Sequence, residues 1–240
     1  MELIYLLIAA LLPALLLIYY IFRKDQLKPE PKWQLIKGFF FGVASACFVL
    51  MVFAGCESPR DESPIPLGGA ILQAFWYAAI PEELSKFLML WLLVRRNRFF
   101  DENIDGVVYS VCVGMGFAGA ENILYLISNY DSWVFVGISR ALISVPCHFF
   151  FAVVMGYYYS LAHFGDETRK RKNLCLAIAV PILMHGAIDS ILSFVSIVPA
   201  LGLVLTICFF VFFRKIRLFA SSRIAELYKV DESHTRDDAM

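Results

Sequence analysis

The residues best suited to chemistry in this sequence lie in the segment Pro81-Glu82-Glu83-Leu84-Ser85-Lys86. They interrupt a run from about Gly68 to Val94 that is otherwise apolar. A charged side chain at the centre of a membrane helix costs at least about 2.5 kcal/mol on insertion scales, so such residues face a cavity or a partner. The segment therefore predicts a functional site at membrane depth, with further polar groups beside it.

Acids and histidines on three other apolar segments are predicted to lie at a similar depth. Counted at about 1.5 Å per residue from the basic end of each predicted helix, Glu82 and Glu83 lie about 18–20 Å deep. On the same scale Glu121 lies about 24 Å deep, His148 about 21 Å and His185 about 17 Å. Because these groups come from four helices, their common depth predicts one site between the helices.

The spacing along each helix indicates which side chains can interact. Lys86 follows Glu83 by three residues and Glu82 by four, so it can neutralise either carboxylate on one helix face. Asp189 follows His185 by four residues, which lets the carboxylate orient the imidazole or lets both groups face one ligand. A carboxylate held by the lysine would leave the other glutamate free for chemistry.

Small residues precede Glu121 and Asn122 on the fourth apolar segment. The pairs are Gly114 with Ala118 and Gly116 with Ala120. Two small residues four positions apart let helix backbones approach closely in lipid. We expect this face to bring Glu121 within reach of the third helix.

The placement of apolar residues predicts an all-α, polytopic transmembrane helical bundle. The chain has 240 residues, of which 60% are hydrophobic, against about 45–50% in soluble domains. The excess falls in blocks long enough to span a membrane. Seven spans are expected, at about Leu3–Phe22, Leu35–Ala54, Gly68–Val94, Asp105–Ile127, Trp133–Ala162, Leu174–Val195 and Val198–Phe213. Pro146 is expected to kink or divide the fifth of them.

Basic residues predict the orientation of the bundle. Four basic clusters follow spans one, three, five and seven, whereas the opposite side carries only Arg60, in a polar loop from Glu57 to Pro66. The positive-inside rule then places the N-terminus outside and the C-terminus in the cytoplasm.

Residues 1–230 are expected to form one membrane domain, and residues 231–240 a polar, disordered tail. Arg140, within the fifth span, is expected to reach the interface or to pair with an acid, without a chemical role.

Two glutamates and two histidines at one depth could hydrolyse a peptide bond in two ways. In a zinc-dependent version, His148, His185 and Glu82 bind the metal and a second glutamate acts as the base. In a metal-free version, Glu82 and His148 polarise water, while His185 and Asp189 donate to the oxyanion. The sequence contains no His-Glu-x-x-His motif, so both versions stay open.

Four motifs, taken together and in order, resemble the PrsW intramembrane proteases. They are Glu82-Glu83-Leu84-Ser85-Lys86, then Gly116-Phe117-Ala118-Gly119-Ala120-Glu121-Asn122, then His148 before Gly156-Tyr157-Tyr158-Tyr159, then His185-Gly186-Ala187-Ile188-Asp189. The resemblance covers about Leu67 to Phe194. It places the chain in the wider superfamily that includes CAAX-prenyl endopeptidases and bacteriocin-processing enzymes.

This resemblance implies an intramembrane endopeptidase of the bacterial plasma membrane. The expected reaction is the first cut in a single-span membrane protein, such as a membrane-anchored anti-sigma factor. The resemblance makes Glu82, Glu83, His148 and His185 the essential groups, supported by Glu121, Asn122 and Asp189. The family's classification favours zinc, whereas the related prenyl endopeptidases favour a glutamate mechanism without metal. The expected partners are the substrate and the lipid bilayer, and nothing in the sequence suggests nucleic acid.

Two other classes of protein could use the same residues. A proton-coupled membrane carrier could use the intramembrane acids and histidines as a relay, but carriers commonly have duplicated halves, and no convincing repeat is found here. A non-catalytic scaffold could keep the polar groups for packing alone. The lack of a large soluble domain for binding partners weakens that alternative.

Overall fold

The computed structural model describes residues 2–25, 27–53, 67–197 and 202–238, and no strand occurs among them. The helices are α1 (Glu2–Phe22), α2 (Lys32–Phe53), α3 (Leu67–Leu72), α4 (Ile80–Val94), α5 (Asn103–Ser128), α6 (Trp133–Leu142), α7 (Ser144–His163), α8 (Lys170–Ile197) and α9 (Gly202–Asp238). A π-helical segment, Gln73–Ala79, joins α3 to α4, and single 3-10 turns precede α6 and α8. The predicted all-α helical bundle is confirmed.

Five helical stretches in the described ranges are long and apolar enough to cross a membrane. They are Glu2–Phe22, Lys32–Val52, Asn103–Ser128, Tyr130–His163 and Glu167–Phe194. They correspond to predicted spans one, two, four, five and six. The third predicted span is a continuous helix made of α3, the π-segment and α4. The count of seven spans and the orientation of the termini stay predictions.

Helix α5 is the centre of the bundle. Residues 103–119 of this helix are all buried, and it packs against α7, α2 and α1. Gly114 lies against Ala152 of α7, and Gly116 lies against Gly42 of α2. The close approach at these glycines is therefore to α2 and α7, whereas the sequence predicted it for the third span. Glu121 and, from that span, Glu82 nevertheless line the same cavity. The third predicted span contacts α5 at another place. There the Lys86 ammonium lies 3.9 Å from the centre of the Phe117 ring.

Two further expectations concern where helices end. The predicted fifth span is divided into α6 and α7 at Ile143, which leaves Pro146 in the first turn of α7, where a missing N–H is tolerated. The expected tail from Asp231 is helical instead, because α9 continues to Asp238. Asp231 is buried and accepts hydrogen bonds from the backbone at the start of α5, which joins this part of α9 to α5. The loop Glu57–Pro66 and the start of the seventh predicted span lie outside the described residues.

The contact between α5 and α7 depends on glycine at position 156. A methyl group there would lie 2.7 Å from the Val107 Cα, and it would also meet the backbone of Gly106. Overpacking costs about 1–3 kcal/mol, more than the roughly 0.5–1 kcal/mol gained by removing a helical glycine. We therefore predict that Gly156→Ala lowers the thermal unfolding temperature in detergent. Gly68→Ala is the control, since nothing lies within 4 Å of the added methyl group there; equal stability of the two variants would contradict this packing.

Candidate active site

A change in helix type precedes the two glutamates. The π-segment ends at Ala79, and Pro81 lies in the first turn of α4. Single turns of π-helix are rare and frequently occur at functional sites. Glu82 and Glu83 follow on α4, where consecutive side chains differ by about 100° in direction, so one faces a cavity and the other the protein interior.

The ammonium of Lys86 is the central cation of the site. Its Nζ lies 2.8 Å from Glu83 Oε1, 3.4 Å from Glu82 Oε2 and 3.1 Å from His148 Nδ1. Lys86 is 3% exposed and Glu83 is fully buried. Because a buried charge is strongly destabilising without a partner, each of these two residues depends on the other.

His185 is held between carboxylates on both sides of its ring. Its Nδ1 lies 2.9 Å from Glu83 Oε1, and its Nε2 lies 3.2 Å from Asp189 Oδ2 and 4.0 Å from Glu82 Oε2. The ring stacks on Phe151, with the centroids 5.1 Å apart. These contacts fix the orientation of the imidazole, and they include the expected pairing with Asp189.

His148 connects Lys86 to Glu121. An ammonium only donates, so Nδ1 of His148 accepts from Lys86, and Nε2 donates to Glu121 Oε2 at 3.0 Å. The tautomer of His148 is thus set by its neighbours. The rings of the two histidines are perpendicular, with centroids 5.4 Å apart.

Arg140 holds the far end of this network. Its guanidinium donates to Glu121 Oε2 and to Asn122 Oδ1, both at 2.6 Å. The amide of Asn122 in turn donates to the Ala10 carbonyl of α1 at 3.1 Å. The arginine therefore neutralises Glu121 and fixes the position of α5 beside α6.

A cavity of about 800 Å³ lies beside these residues. Its walls include Ala46 and Val49 of α2, Gln73 and Tyr77 of the π-segment, Leu124 and Asn129 at the end of α5, and Leu192 of α8. Glu82 lines the cavity, with 12% of its side chain exposed, whereas Glu83 does not line it and is 0% exposed. The two neighbouring glutamates thus differ in access: only Glu82 can meet a molecule in the cavity.

The residues of the site fit a metal ion by the chemistry of their donor atoms. One ligand atom each from Glu82, Glu83, His148 and His185 lies within 4.8 Å of the others, and imidazole nitrogens with carboxylate oxygens are common zinc ligands. One oxygen of Glu83, Oε2, is buried without a hydrogen-bond partner. In this structure the Lys86 ammonium provides the positive charge. A metal ion would therefore compete with Lys86 for the oxygens of Glu82 and Glu83.

The structure brings all seven sequence-predicted site residues into one network. They are Glu82, Glu83, His148, His185, Glu121, Asn122 and Asp189. Their catalytic roles stay predictions. The sequence predicted that Arg140 reaches the interface or pairs with an acid, and its contact with Glu121 shows the second of these. Its contact with Asn122 was not predicted. Sequence reasoning also missed the bond between the Ser45 and Ser85 hydroxyls, 2.7 Å apart, and no pattern in the sequence indicated that bond.

A bundle of membrane helices that encloses carboxylates and imidazoles beside a cavity has the features of an intramembrane hydrolase. Residues 30–216 match the family described as PrsW family intramembrane metalloprotease. The chain is 35% identical over 188 residues to Protease PrsW of Bacillus subtilis (strain 168), which covers 78% of this chain and 83% of that protein. It is also 35% identical over 187 residues to Protease PrsW of Clostridioides difficile (strain 630), which covers 76% and 77%.

The chain therefore belongs to the PrsW family of intramembrane metalloproteases. It is a peptidase and an integral membrane protein, and its substrate is a protein embedded in the membrane. No solved structure matches the chain significantly.

The mutual dependence of Lys86 and Glu83 predicts the effect of removing the lysine. Lys86→Met leaves a buried carboxylate without its cation, which costs about 3–5 kcal/mol. We expect a large fall in the unfolding temperature in detergent. The double variant Lys86→Met with Glu83→Gln should lose less, because the uncompensated charge is removed as well; a double variant as unstable as the sum of the single changes would argue against the pairing.

Proposed function

We propose that Glu82 is the general base of an endopeptidase that cleaves single-span membrane proteins within the bilayer. The observation that carries this proposal is the difference between the two glutamates. Glu82 faces the cavity, whereas Glu83 is enclosed and bonded to Lys86 and His185. A base must reach the water that it activates, which favours Glu82.

In this proposal Glu82 takes a proton from a water molecule in the cavity as the water attacks the scissile carbonyl carbon. The same carboxyl group then gives the proton to the leaving amine as the carbon–nitrogen bond breaks. General acid–base catalysis of this kind contributes about 10²–10⁴-fold in rate. Lys86 lies 3.4 Å from Glu82 and stabilises the carboxylate before it accepts the proton.

The oxyanion that forms on the carbonyl needs a hydrogen-bond donor. His185 is the donor we propose, because it lines the cavity and stacks on Phe151. Its Nδ1 stays held by Glu83, and the N–H of Nε2, which faces Asp189 at 3.2 Å, would be shared with the oxyanion as that charge forms. Donors that are oriented before the reaction give the greatest stabilisation. Asp189 accepts from His185 and holds its ring in place. In this role Asp189 does not donate a hydrogen bond to the oxyanion.

The residues that would hold a zinc ion in this proposal are His148, His185 and Glu83. Glu83 replaces Glu82, the ligand expected from sequence, because Glu82 is the proposed base. When bound, zinc would supply an acidified water and a positive charge for the oxyanion. Glu82 keeps the role of base with or without the metal. The chain itself positions the base and the imidazoles through the contacts of Lys86 and Arg140.

The substrate we propose is a single membrane helix, such as that of a membrane-anchored anti-sigma factor, in a bacterial plasma membrane. It would enter the cavity from the side, between helices. A helical peptide bond is shielded by its own hydrogen bonds, so the substrate must unwind near the cut, and helix-breaking residues there make that easier. The cleavage would be the first in a proteolytic sequence.

The test compares the two glutamates in the purified protein with a single-span reporter that carries helix-breaking residues. Glu82→Gln should reduce cleavage by about 10²–10⁴-fold with little change in unfolding temperature. Glu83→Gln should lower the unfolding temperature as well, because it removes the partner of Lys86. Glu167→Gln, an exposed acid on the turn before α8, is the control and should cleave normally. Undiminished cleavage by Glu82→Gln would refute the proposal.

Metal removal then separates the two chemical versions. If chelation abolishes cleavage, added zinc restores it and one zinc is found per chain, the zinc version holds. If cleavage still depends on Glu82 after all metal has been removed, the metal-free version holds. Both assays use the same reporter, so a loss of activity can be assigned to the metal or to the base.

Arg140 provides a further prediction for the same assay. Arg140→Ala removes the cation from Glu121 and frees the His148 ring on one side, so we expect at least about a tenfold loss of cleavage. Arg140→Lys should recover only part of it, since lysine cannot make the two directed contacts with Glu121 and Asn122. Arg169→Ala, in an exposed turn, is the matched control. Normal cleavage by Arg140→Ala would show that the arginine only packs.

A further inference from the structure

A second group of buried acids lies away from the active site, around the start of α5. Its members are Asp25 and Glu30 from the connection between α1 and α2, Glu102 and Asp105 at the beginning of α5, and Asp231 from α9. All five are at most 5% exposed. Three elements distant in sequence thus place their carboxyl groups in one region of the interior.

Three of these acids use one oxygen for the backbone and leave the other without a partner. Asp25 Oδ2 accepts from the Glu30 amide at 2.9 Å. Asp105 Oδ2 accepts from the amides of Asp101 and Glu102, at 2.9 and 2.7 Å, and Glu102 accepts from the Asp105 amide in return. The remaining oxygens, Asp25 Oδ1, Glu102 Oε2 and Asp105 Oδ1, are buried without a hydrogen bond.

The helix terminus does not account for these free oxygens. Asp231 already accepts from the backbone of Asn103 and Ile104, both at 2.9 Å, and Glu30 accepts from the Tyr109 hydroxyl. Lys28, in the α1–α2 connection, pairs with the exposed Asp101 at 3.7 Å. Buried oxygens of this kind are costly unless a donor or a cation meets them.

The distances suit a cation with oxygen ligands. One carboxylate oxygen each from Asp25, Glu102 and Asp105 lies within 4.8 Å of the others. Two oxygens that bind one calcium ion at about 2.3–2.6 Å are at most about 5 Å apart. All the donors are carboxylates, without nitrogen or sulphur, which favours magnesium, calcium or manganese over zinc.

We propose that Asp25, Glu102 and Asp105 bind a hard divalent cation, magnesium or calcium, which fastens the α1–α2 connection to the start of α5. The site is separate from the candidate active site, which contains imidazoles. Without a cation, the buried carboxylates of Asp25, Glu102 and Asp105 have no positive partner at their free oxygens among the described residues. The ion would thereby stabilise the protein.

The test measures thermal unfolding of the full chain in detergent after chelation. Magnesium or calcium at millimolar concentration should raise the unfolding temperature by several degrees, compared with sodium chloride of the same ionic strength. Metal analysis should find about one magnesium or calcium per chain, and titration of each ion alone shows which of them binds more tightly. The shift should persist in Glu82→Gln, which separates this site from the active site.

The matched variants remove charge but keep the oxygen that accepts from the backbone. The double variant Asp25→Asn with Glu102→Gln, or Glu102→Gln alone if the double variant does not fold, should lose the response to divalent cations. Asp101→Asn, a neighbouring exposed acid, should keep it. The proposal is overturned if divalent cations do not change the unfolding temperature of the wild type, or if they change that of the variants equally. It is also overturned if the acids share protons instead. In that case the neutral variants would be more stable than the wild type and no metal would be bound.

Discussion

The site depends on one buried cation, the ammonium of Lys86, among groups that could not otherwise be buried together. Two adjacent carboxylates in a low-dielectric interior repel each other, and each would be costly alone. The lysine contacts both and also His148. Its position one turn after the glutamates makes this possible within a single helix, so the neighbouring helices need only supply the histidines.

From that lysine, hydrogen bonds continue in two directions across the bundle. One branch runs through Glu83 and His185 to Asp189 on α8, and the other through His148 and Glu121 to Arg140 on α6. Networks of this kind are strong when every member is satisfied and costly when one is not. The positions of α4, α5, α7 and α8 relative to one another are therefore tied to the chemistry of the site.

Much of this arrangement could be predicted from sequence because charges in apolar spans have few alternatives. Depth along each helix was enough to group Glu82, Glu121, His148 and His185, and the i,i+4 rule was enough to pair His185 with Asp189. Which helix faces contact each other was not predictable in the same way. The glycines of α5 contact α2 and α7, because side-chain volume on all the neighbours decides the packing. The helical end of the chain was missed because Asp231 is stabilised by the start of α5, a partner that local composition does not reveal.

The π-segment before the glutamates has a consequence for how the lining of the cavity is read from sequence. Gln73, Tyr77 and Glu82 line the same cavity, although Gln73 and Glu82 are nine positions apart. In a regular α-helix, with about 100° per residue, nine positions correspond to opposite sides. The wider turns of a π-helix shift the angular phase of everything that follows. A helical wheel drawn through this span would therefore assign the residues before and after Ala79 to different surfaces, when in the folded protein they form one wall.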